Sequence, residues 1–372
     1  MSALYGNIMM DDGVFRNGRI EFEGAIEKIE TGEEAEESEE GEDPAPYIIP
    51  GLIDIHTHGA VGSDFSEATP GEMREMSLYY AKNGVTSFLA TTMTVPDDQL
   101  SAAMKNIASF ERPEGGARCL GANMEGPFLS YEKRGAHKSE WLQAPNISMF
   151  EKMNAFSGNN IKLVSIAPEL PGAMDFIREA SQVCNPSLAH STAGYDTATE
   201  AFGNGATHVT HLFNGQNPFL HREPGVVGAA MDARAFVEII CDGIHLHPAV
   251  VRAVYKMFQG RVCMVSDSVR ATGLPDGNYE LGGLSIIVKE GKSTLENGTI
   301  AGSVITLMDG VRNAVGFGLP FAEAVLAATA NNALSIGAEE TLGSLTPGKH
   351  ADFVVLDRDL NVLKVYIGGR EI

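Results

Sequence analysis

Apolar residues along this chain gather into short runs that recur with a steady rhythm. Runs of four to seven residues at 52–56, 85–91, 118–124, 161–167, 186–190, 208–213, 237–241 and 263–266 each read as a buried strand. Between several of them apolar positions recur at helical spacing, over 71–83, 97–110, 173–184, 196–203 and 248–258. Strands alternating with helices predict a parallel sheet. Eight strands over almost 300 residues predict a (β/α)8 TIM barrel more than an open doubly wound sheet. No Gly-x-Gly-x-x-Gly follows the first strand, which argues against dinucleotide binding. After the eighth strand the pattern changes. Residues 279–288 and 294–300 alternate or run apolar around Gly282-Gly283 and Asn297-Gly298, as a β-hairpin insertion would, and helices return at 304–317 and 321–336. Both chain ends are β-prone, at 3–10, 18–23 and 25–30 and again at 353–356 and 362–367. The expected class is therefore α/β: a catalytic barrel over 50–340, with a small β-sandwich domain built from 1–49 and 341–372.

Composition narrows the class. Of 372 residues, 44% are hydrophobic, enough for a sizeable core, so wholesale disorder is excluded. The formal charge of −22 makes binding to a nucleic-acid backbone or an anionic membrane surface unexpected. Part of the imbalance is local: 33–43 holds eight acids and no base, ends at Pro44-Ala-Pro46, and reads as a solvated loop rather than an interaction tail. Cys119, Cys184, Cys241 and Cys263 are scattered without a Cys-x-x-Cys, as reduced thiols would be. The first residues carry no basic start or apolar core of a signal peptide, and no apolar run nears the ~18 residues of a membrane span. A soluble cytoplasmic protein is expected.

Chemistry-bearing residues collect at the ends of the predicted strands, where barrel enzymes place their sites. Strand one ends in Asp54-Ile-His56-Thr-His58-Gly59. Side chains alternate along a strand, so His56 and His58 point to one side and can share a metal ion. Strand three ends in Met124-Glu125-Gly126-Pro127, and a carboxylate at the end of a buried strand is costly without a cation. Strand five ends in Ala189-His190-Ser191 and strand six in His208-Val-Thr-His211. His208 and His211 lie three apart and do not share a face. His211 is nearer the strand's C-terminal end and is the candidate ligand, leaving His208 packed or behind the ligands. Strand eight ends in Val265-Ser266-Asp267-Ser268. Each element alone is weak, but the ordered set is the pattern of a divalent-metal hydrolase.

At this point the sequence resembles a known family. Pro50-Gly-Leu-Ile-Asp-Ile-His-Thr-His-Gly59 is similar to the amidohydrolase superfamily. Asn123-Met-Glu-Gly-Pro-Phe128, Arg134-Gly-Ala-His137, Leu188-Ala-His-Ser191, Thr210-His-Leu-Phe-Asn214, Arg222-Glu-Pro-Gly225, Asp242-Gly-Ile-His245, Ser266-Asp267 and Thr299-Ile-Ala-Gly-Ser303 resemble the N-acetylglucosamine-6-phosphate deacetylases within it. The resemblance implies a metal site of Glu125, His190 and His211. It implies a second site at His56 and His58, kept by some members only, with Glu125 bridging the two ions. Strand four offers no lysine at its end to bridge in its place. Zinc suits such ligands, one or two per subunit, and iron, manganese or cobalt would also fit. Asp267 would move the proton between water and the leaving amine, and His137 would steady the developing oxyanion. Ala136, His137, Asn214, Gly215, Arg222, His245 and the segment Ile300-Ala301-Gly302 match the family's substrate contacts. In this family the arginine reaches a neighbouring subunit's site, so a homodimer is implied. The family often has Asn-Ala at Asn214-Gly215, a departure that keeps the backbone donor. His221, His247 and His350 match nothing functional. The resemblance thus implies hydrolysis of the acetamide of N-acetylglucosamine 6-phosphate. Another metal amidohydrolase, such as a dihydroorotase or an aminoacylase-like member, would not need Arg222 and His245. A barrel that only binds sugar phosphates would not need the full set of metal and proton-transfer residues.

Overall fold

A computed structural model of the chain describes residues 2–32 and 45–372; the acidic run at 33–43 lies outside the described residues. Its centre is a sheet of eight parallel strands in sequential order. These are β1 (Leu52–Thr57), β2 (Val85–Thr92), β3 (Arg118–Met124), β4 (Ile161–Ile166), β5 (Asn185–Leu188), β6 (His208–Val209), β7 (Phe236–Ile240) and β8 (Val262–Val265). Each is followed by a helix: α1 (Pro70–Lys82), α2 (Asp97–Ala108), α3 (Ile147–Phe156), α4 (Ala173–Ala180), α5 (Tyr195–Gly203), α6 (Gly225–Ala233), α7 (Pro248–Met257) and α8 (Leu307–Gly316). Local sequence sets several of these starts. Thr69 and Glu72 form a capping box before α1, with Pro70 at its first position, and Thr306 and Asp309 do the same for α8.

The sheet closes on itself between β8 and β1 through few bonds. At the C-terminal end the Asp267 N–H donates to the His56 carbonyl at 2.9 Å, and the His58 N–H to the Ser268 carbonyl at 2.8 Å. At the other end the Asn332 side-chain amide donates to the Ile53 and Met264 carbonyls, at 2.6 and 2.8 Å. Asn332 sits on the last helix, Ala330–Ser335. One continuous helix is expected over 321–336, but it breaks at Thr329 (φ −136°, ψ −87°), whose hydroxyl bonds back to the Val325 carbonyl at 2.7 Å. The break separates the Asn332 turn from Phe321–Ala328. Closure at the upper end fixes the relative heights of His56, His58 and Asp267.

A second sheet of seven strands draws on both ends of the chain, in the order Arg370–Glu371, Val362–Ile367, Phe353–Leu356, Tyr47–Pro50, Ser2–Met9, Phe15–Phe22, Ile26–Thr31. It curls over: the Phe22 ring packs 4.9 Å from Phe353 and 5.4 Å from Tyr366, although their strands lie three and four places away. Tyr47–Pro50 runs into β1 through Gly51, where a Cβ would stand 2.2 Å from the Thr86 hydroxyl. Buried Asp352 ties this sheet to the foot of β3 by a two-pronged pair with Arg118, both contacts at 3.1 Å.

The insertion between β8 and α8 is a three-stranded antiparallel sheet, Gly277–Leu281, Leu284–Lys289 and Lys292–Leu295. From it the chain returns to the barrel mouth, where the Ser303 N–H donates to the Asp267 carbonyl at 2.7 Å. The insertion is thereby fixed beside the end of β8. No helix among the described residues is long and apolar enough to cross a membrane.

Candidate metal centre

Each residue of the centre stands at or just past the C-terminal end of a barrel strand. β1 supplies His56 and, one residue beyond its end, His58. Glu125 follows β3, and His190, His211 and Asp267 each lie two residues past β5, β6 and β8. None is more than 7% exposed. The apolar run at 208–213 does not continue as a strand: β6 holds only His208–Val209. His190, His211 and Asp267 have φ of 43°, 25° and 49°, a left-handed region that costs a non-glycine residue about 1–3 kcal/mol. Neighbours hold them there. The His211 N–H donates to the Glu238 carboxylate at 3.1 Å, the His190 carbonyl accepts from the Ser130 N–H at 2.9 Å, and Asp267 is pinned to His56 and Ser303.

The donor atoms converge. His56 Nε2 and His58 Nε2 lie 3.3 Å apart, 3.5 and 3.3 Å from Asp267 Oδ1, and His58 Nε2 is 3.2 Å from Glu125 Oε2. The other Glu125 oxygen is 3.1 Å from His190 Nε2 and 3.0 Å from His211 Nε2. Ligands about 2.0–2.1 Å from a tetrahedral ion stand about 3.3 Å from one another, so these separations are those of a ligand shell. The donor chemistry fits too. The Nδ1–H of His56 donates to Glu238, which leaves its Nε2 lone pair aimed at a second imidazole, an arrangement that calls for a cation between them. Glu125 stands between the two groups with one oxygen toward each. The arrangement suits one or two divalent ions and does not choose among metals.

Without an ion, protons do part of this work. Burial opposes charge on His56 and His58, yet Glu238 and Glu125 hold His56 well above its ordinary value, and hydrogen bonds to Asp267 and Glu125 raise His58 to about 9. Burial pushes Glu125 up, but the surrounding imidazoles, His56 foremost, override it and hold it well down. Burial pushes Asp267 up as well, but its hydrogen bond to His58 and the nearby imidazoles of His56, His58 and His211 together lower it.

His137 behaves differently. Burial outweighs Glu125 and lowers it to about 4, so the ring is neutral. Its Nδ1 accepts the Thr94 N–H at 3.3 Å, which puts the ring proton on Nε2, 3.5 Å from Glu125 Oε2. A neutral donor beside the ligands is what a developing oxyanion needs.

A cavity of about 220 Å3 opens above these groups. His58, Glu125, His137, His190, His211 and Asp267 line its base; Ala136, Asn214, Gly215, His245, Ile300, Ala301 and Gly302 line its walls, with Met93, Leu281 and Thr299 beside them. His56 lies beneath, fully buried. Gly215 has φ 62°, and a Cβ there would stand 2.8 Å from His190 Nδ1, so this loop packs onto the ligand ring. The Asp242 carboxylate accepts from His245 Nδ1 at 2.7 Å and from the Ile244 and His245 N–H groups at 2.8 Å, fixing that ring at the wall. Arg222 is not brought to the cavity of its own chain. It is exposed on the loop after β6, between His221, whose Nε2 lies 2.7 Å from its guanidinium, and Glu223. Among the described residues no lysine or arginine lines the cavity.

Three supporting residues are not evident from spacing alone. Glu238, in the middle of β7, binds His56 and His208. Glu169, after β4, accepts from the Ser191 hydroxyl at 2.6 Å, the Thr192 N–H at 2.6 Å and its hydroxyl at 2.9 Å, bracing the turn after His190. The Lys133 carbonyl accepts from His190 Nδ1 at 2.8 Å. Only Glu238 leaves a sequence signal, as the single acid in Phe236-Val-Glu-Ile-Ile240.

The pattern of the amidohydrolase family matches residues 47–372. N-acetylglucosamine-6-phosphate deacetylase of Vibrio furnissii is 38% identical over 327 residues, covering 87% of this chain and 82% of that protein. N-acetylgalactosamine-6-phosphate deacetylase of Escherichia coli O157:H7 is 36% identical over 333 residues, 88% of each. Among solved structures, an aspartate-to-alanine variant of N-acetyl-D-glucosamine-6-phosphate deacetylase from Mycobacterium smegmatis, in complex with N-acetyl-D-glucosamine-6-phosphate, superposes with a TM-score of 0.91 at 30% identity, covering 99% of this chain and 98% of that one.

Proposed function

The chain belongs to the amidohydrolase family, among its N-acetylglucosamine-6-phosphate deacetylases, and from that membership we propose that it hydrolyses the acetamide of N-acetyl-D-glucosamine 6-phosphate to D-glucosamine 6-phosphate and acetate, in amino-sugar catabolism and recycling. The observation that carries the reading is the buried set of four imidazoles, Glu125 and Asp267 at the base of a cavity of about 220 Å3. We assign catalysis to 50–340, braced by the β-domain of 1–49 and 341–372.

In this reading Glu125, His190 and His211 would hold one ion, and His56 and His58, with Glu125, would hold a second; we take the metal to be zinc. A bound divalent ion supplies polarisation of the acetyl carbonyl and lowers the pKa of a coordinated water from about 15.7 to about 7. Asp267 takes the proton of the attacking water and returns it to the departing amine nitrogen. His137 donates its Nε2–H to the carbonyl oxygen as charge gathers there. Ala136, Asn214, Gly215 and the segment Ile300-Ala301-Gly302 orient the sugar. His245, held by Asp242, takes part in binding the phosphate.

Among the described residues no lysine or arginine lines the cavity, so the dianionic end of the substrate needs a cation from elsewhere. Arg222 of a second subunit supplies it in our reading, and the protein works as a homodimer. Phe219 and Leu220, 43% and 48% exposed on the same loop, are apolar surface such a contact would cover. Four unpaired cysteines suit a cytoplasmic location.

The test is acetate release from the 6-phosphates of N-acetylglucosamine and N-acetylgalactosamine and from unphosphorylated N-acetylglucosamine, with elemental analysis of the same sample. Metal-dependent release that strongly favours a phosphorylated sugar is expected. Equal rates with and without the phosphate would overturn the substrate assignment, and preference for the galacto epimer would transfer the activity to that sugar.

A further inference from the structure

Glu238 is fully buried in the middle of β7, surrounded along its strand by apolar residues. An ionised side chain in such a place is costly unless it is paired and hydrogen-bonded. Its partners converge from two other strands. Oε2 accepts from His56 Nδ1 at 2.8 Å and from the His211 N–H at 3.1 Å; Oε1 stands 3.2 Å from His208 Nε2. One carboxylate therefore ties the first imidazole of one ligand group to the backbone of the other.

The two histidines of the β1 pair are unequally supported. His56 Nδ1 has Glu238, whereas the buried Nδ1 of His58 has no hydrogen-bond partner among the described residues. A ring nitrogen whose proton is fixed by a carboxylate presents its other nitrogen as a pre-aimed, more basic lone pair. We propose that Glu238 is the positioning residue of the His56–His58 metal site: it fixes the tautomer and plane of His56, and with them the affinity for the second ion. The proposal rests on the reading that His56 and His58 bind metal. It distinguishes the two sites, because Glu238 touches the imidazole of one site and only the backbone of the other. His190, in the Glu125–His190–His211 site, is held instead by the Lys133 carbonyl.

The experiment is titration of the metal-stripped, full-length protein with Zn2+ against a chelator of known affinity, in wild type, E238Q and H56N/H58N. E238Q keeps the shape and an acceptor for His56 but removes the charge. It is expected to weaken one class of site about 10- to 100-fold and the other, which it meets only through the His211 backbone, far less. Added to H56N/H58N, it should change nothing further. Equal weakening of both sites, or of neither, overturns the role of Glu238. If H56N/H58N binds as many ions as wild type, it is the metal-site reading that fails. Should E238Q not fold, zinc-loaded wild type decides the matter: with 15N-labelled histidine, a slowly exchanging Nδ1–H signal from His56, absent in H56N, is expected. If no such proton is seen, the proposal is overturned.

Discussion

Arg222 offers a test of both the phosphate site and the dimer. It is exposed, no carboxylate pairs with it among the described residues, and its guanidinium meets only His221. Arg222→Ala should leave stability within about 0.5 kcal/mol of wild type, as for a surface change. In the proposed dimer it would remove a charge-assisted, two-pronged contact to phosphate, worth about 1.5–3 kcal/mol or roughly 10- to 150-fold in kcat/KM. The loss should be seen for N-acetylglucosamine 6-phosphate, shrink to almost nothing for the unphosphorylated sugar, and diminish as salt rises. Complementation then identifies the subunit that supplies the arginine. Asp267→Asn and Arg222→Ala proteins should each be defective on their own. If the arginine crosses the proposed dimer, the subunit with an intact Asp267 would receive it, in a mixed dimer, from the Asp267→Asn partner. Random re-pairing makes about half the dimers mixed, with one repaired site in two, so activity at low substrate should return to about a quarter of wild type. A mixture no more active than the mean of its parents would mean that Arg222 does not act across a subunit boundary. Equal losses on both sugars would mean that it does not bind phosphate.

Three further outcomes follow from the site. Changing His56 and His58 together to asparagine should leave one ion per subunit by elemental analysis; undiminished metal would remove the two-ion arrangement. Asp267→Asn should keep its metal and lose about 10²–10⁴-fold in kcat, since it preserves shape and removes only the base; an unchanged kcat would make Asp267 structural. In the metal-stripped protein, His58 is raised from its ordinary 6.5 to about 9. Its contribution to stability is fully present below pH 6.5 and is lost as pH rises through about 9. The Tm of stripped protein should therefore fall across that window, and metal affinity should rise as protons cease to compete. A flat Tm there would show that the cluster does not hold its protons this way.

Much of the barrel is legible in the sequence because a strand buried on both faces writes itself as a continuous apolar run. Strand β2, every residue of which is buried, is matched to within one residue. Legibility fails where a run of apolar residues does not mean a strand. The stretch His208-Val-Thr-His-Leu-Phe213 has the composition of β6, but the strand stops at Val209: the His211 N–H turns to the Glu238 side chain, and only the Leu212 N–H returns to the backbone of β7, at the Glu238 carbonyl. Helix α3 is missed for the opposite reason. Its apolar residues Met149, Phe150, Met153 and Phe156 do recur at helical spacing, but the helix is only ten residues long and follows a stretch from Glu125 to Asn146 that holds no more than one 3-10 turn, Ser139–Trp141, so little but the Asn146 cap marks its start.

The site shows the same division between what a chain can write along itself and what only closure creates. His56 and His58 are readable as a pair because two residues along a strand restore the same face, a relation internal to one segment. The position of Glu125 between two groups of ligands is not internal to any segment. It requires β1, β3, β5 and β6 to present their ends to one point, which is the geometry of a closed sheet. The role of Glu238, unlike its presence, lies furthest from reach. Its neighbours in sequence are apolar and say only that the strand is buried, while its partners come from strands β1 and β6, 182, 30 and 27 residues away along the chain. A lone acid in an apolar strand is therefore better read as a question about charge than as an error in the pattern. Buried at zero exposure it must have found donors, and in a barrel whose mouth is ringed with histidines those donors are the rings of His56 and His208 and the backbone of His211.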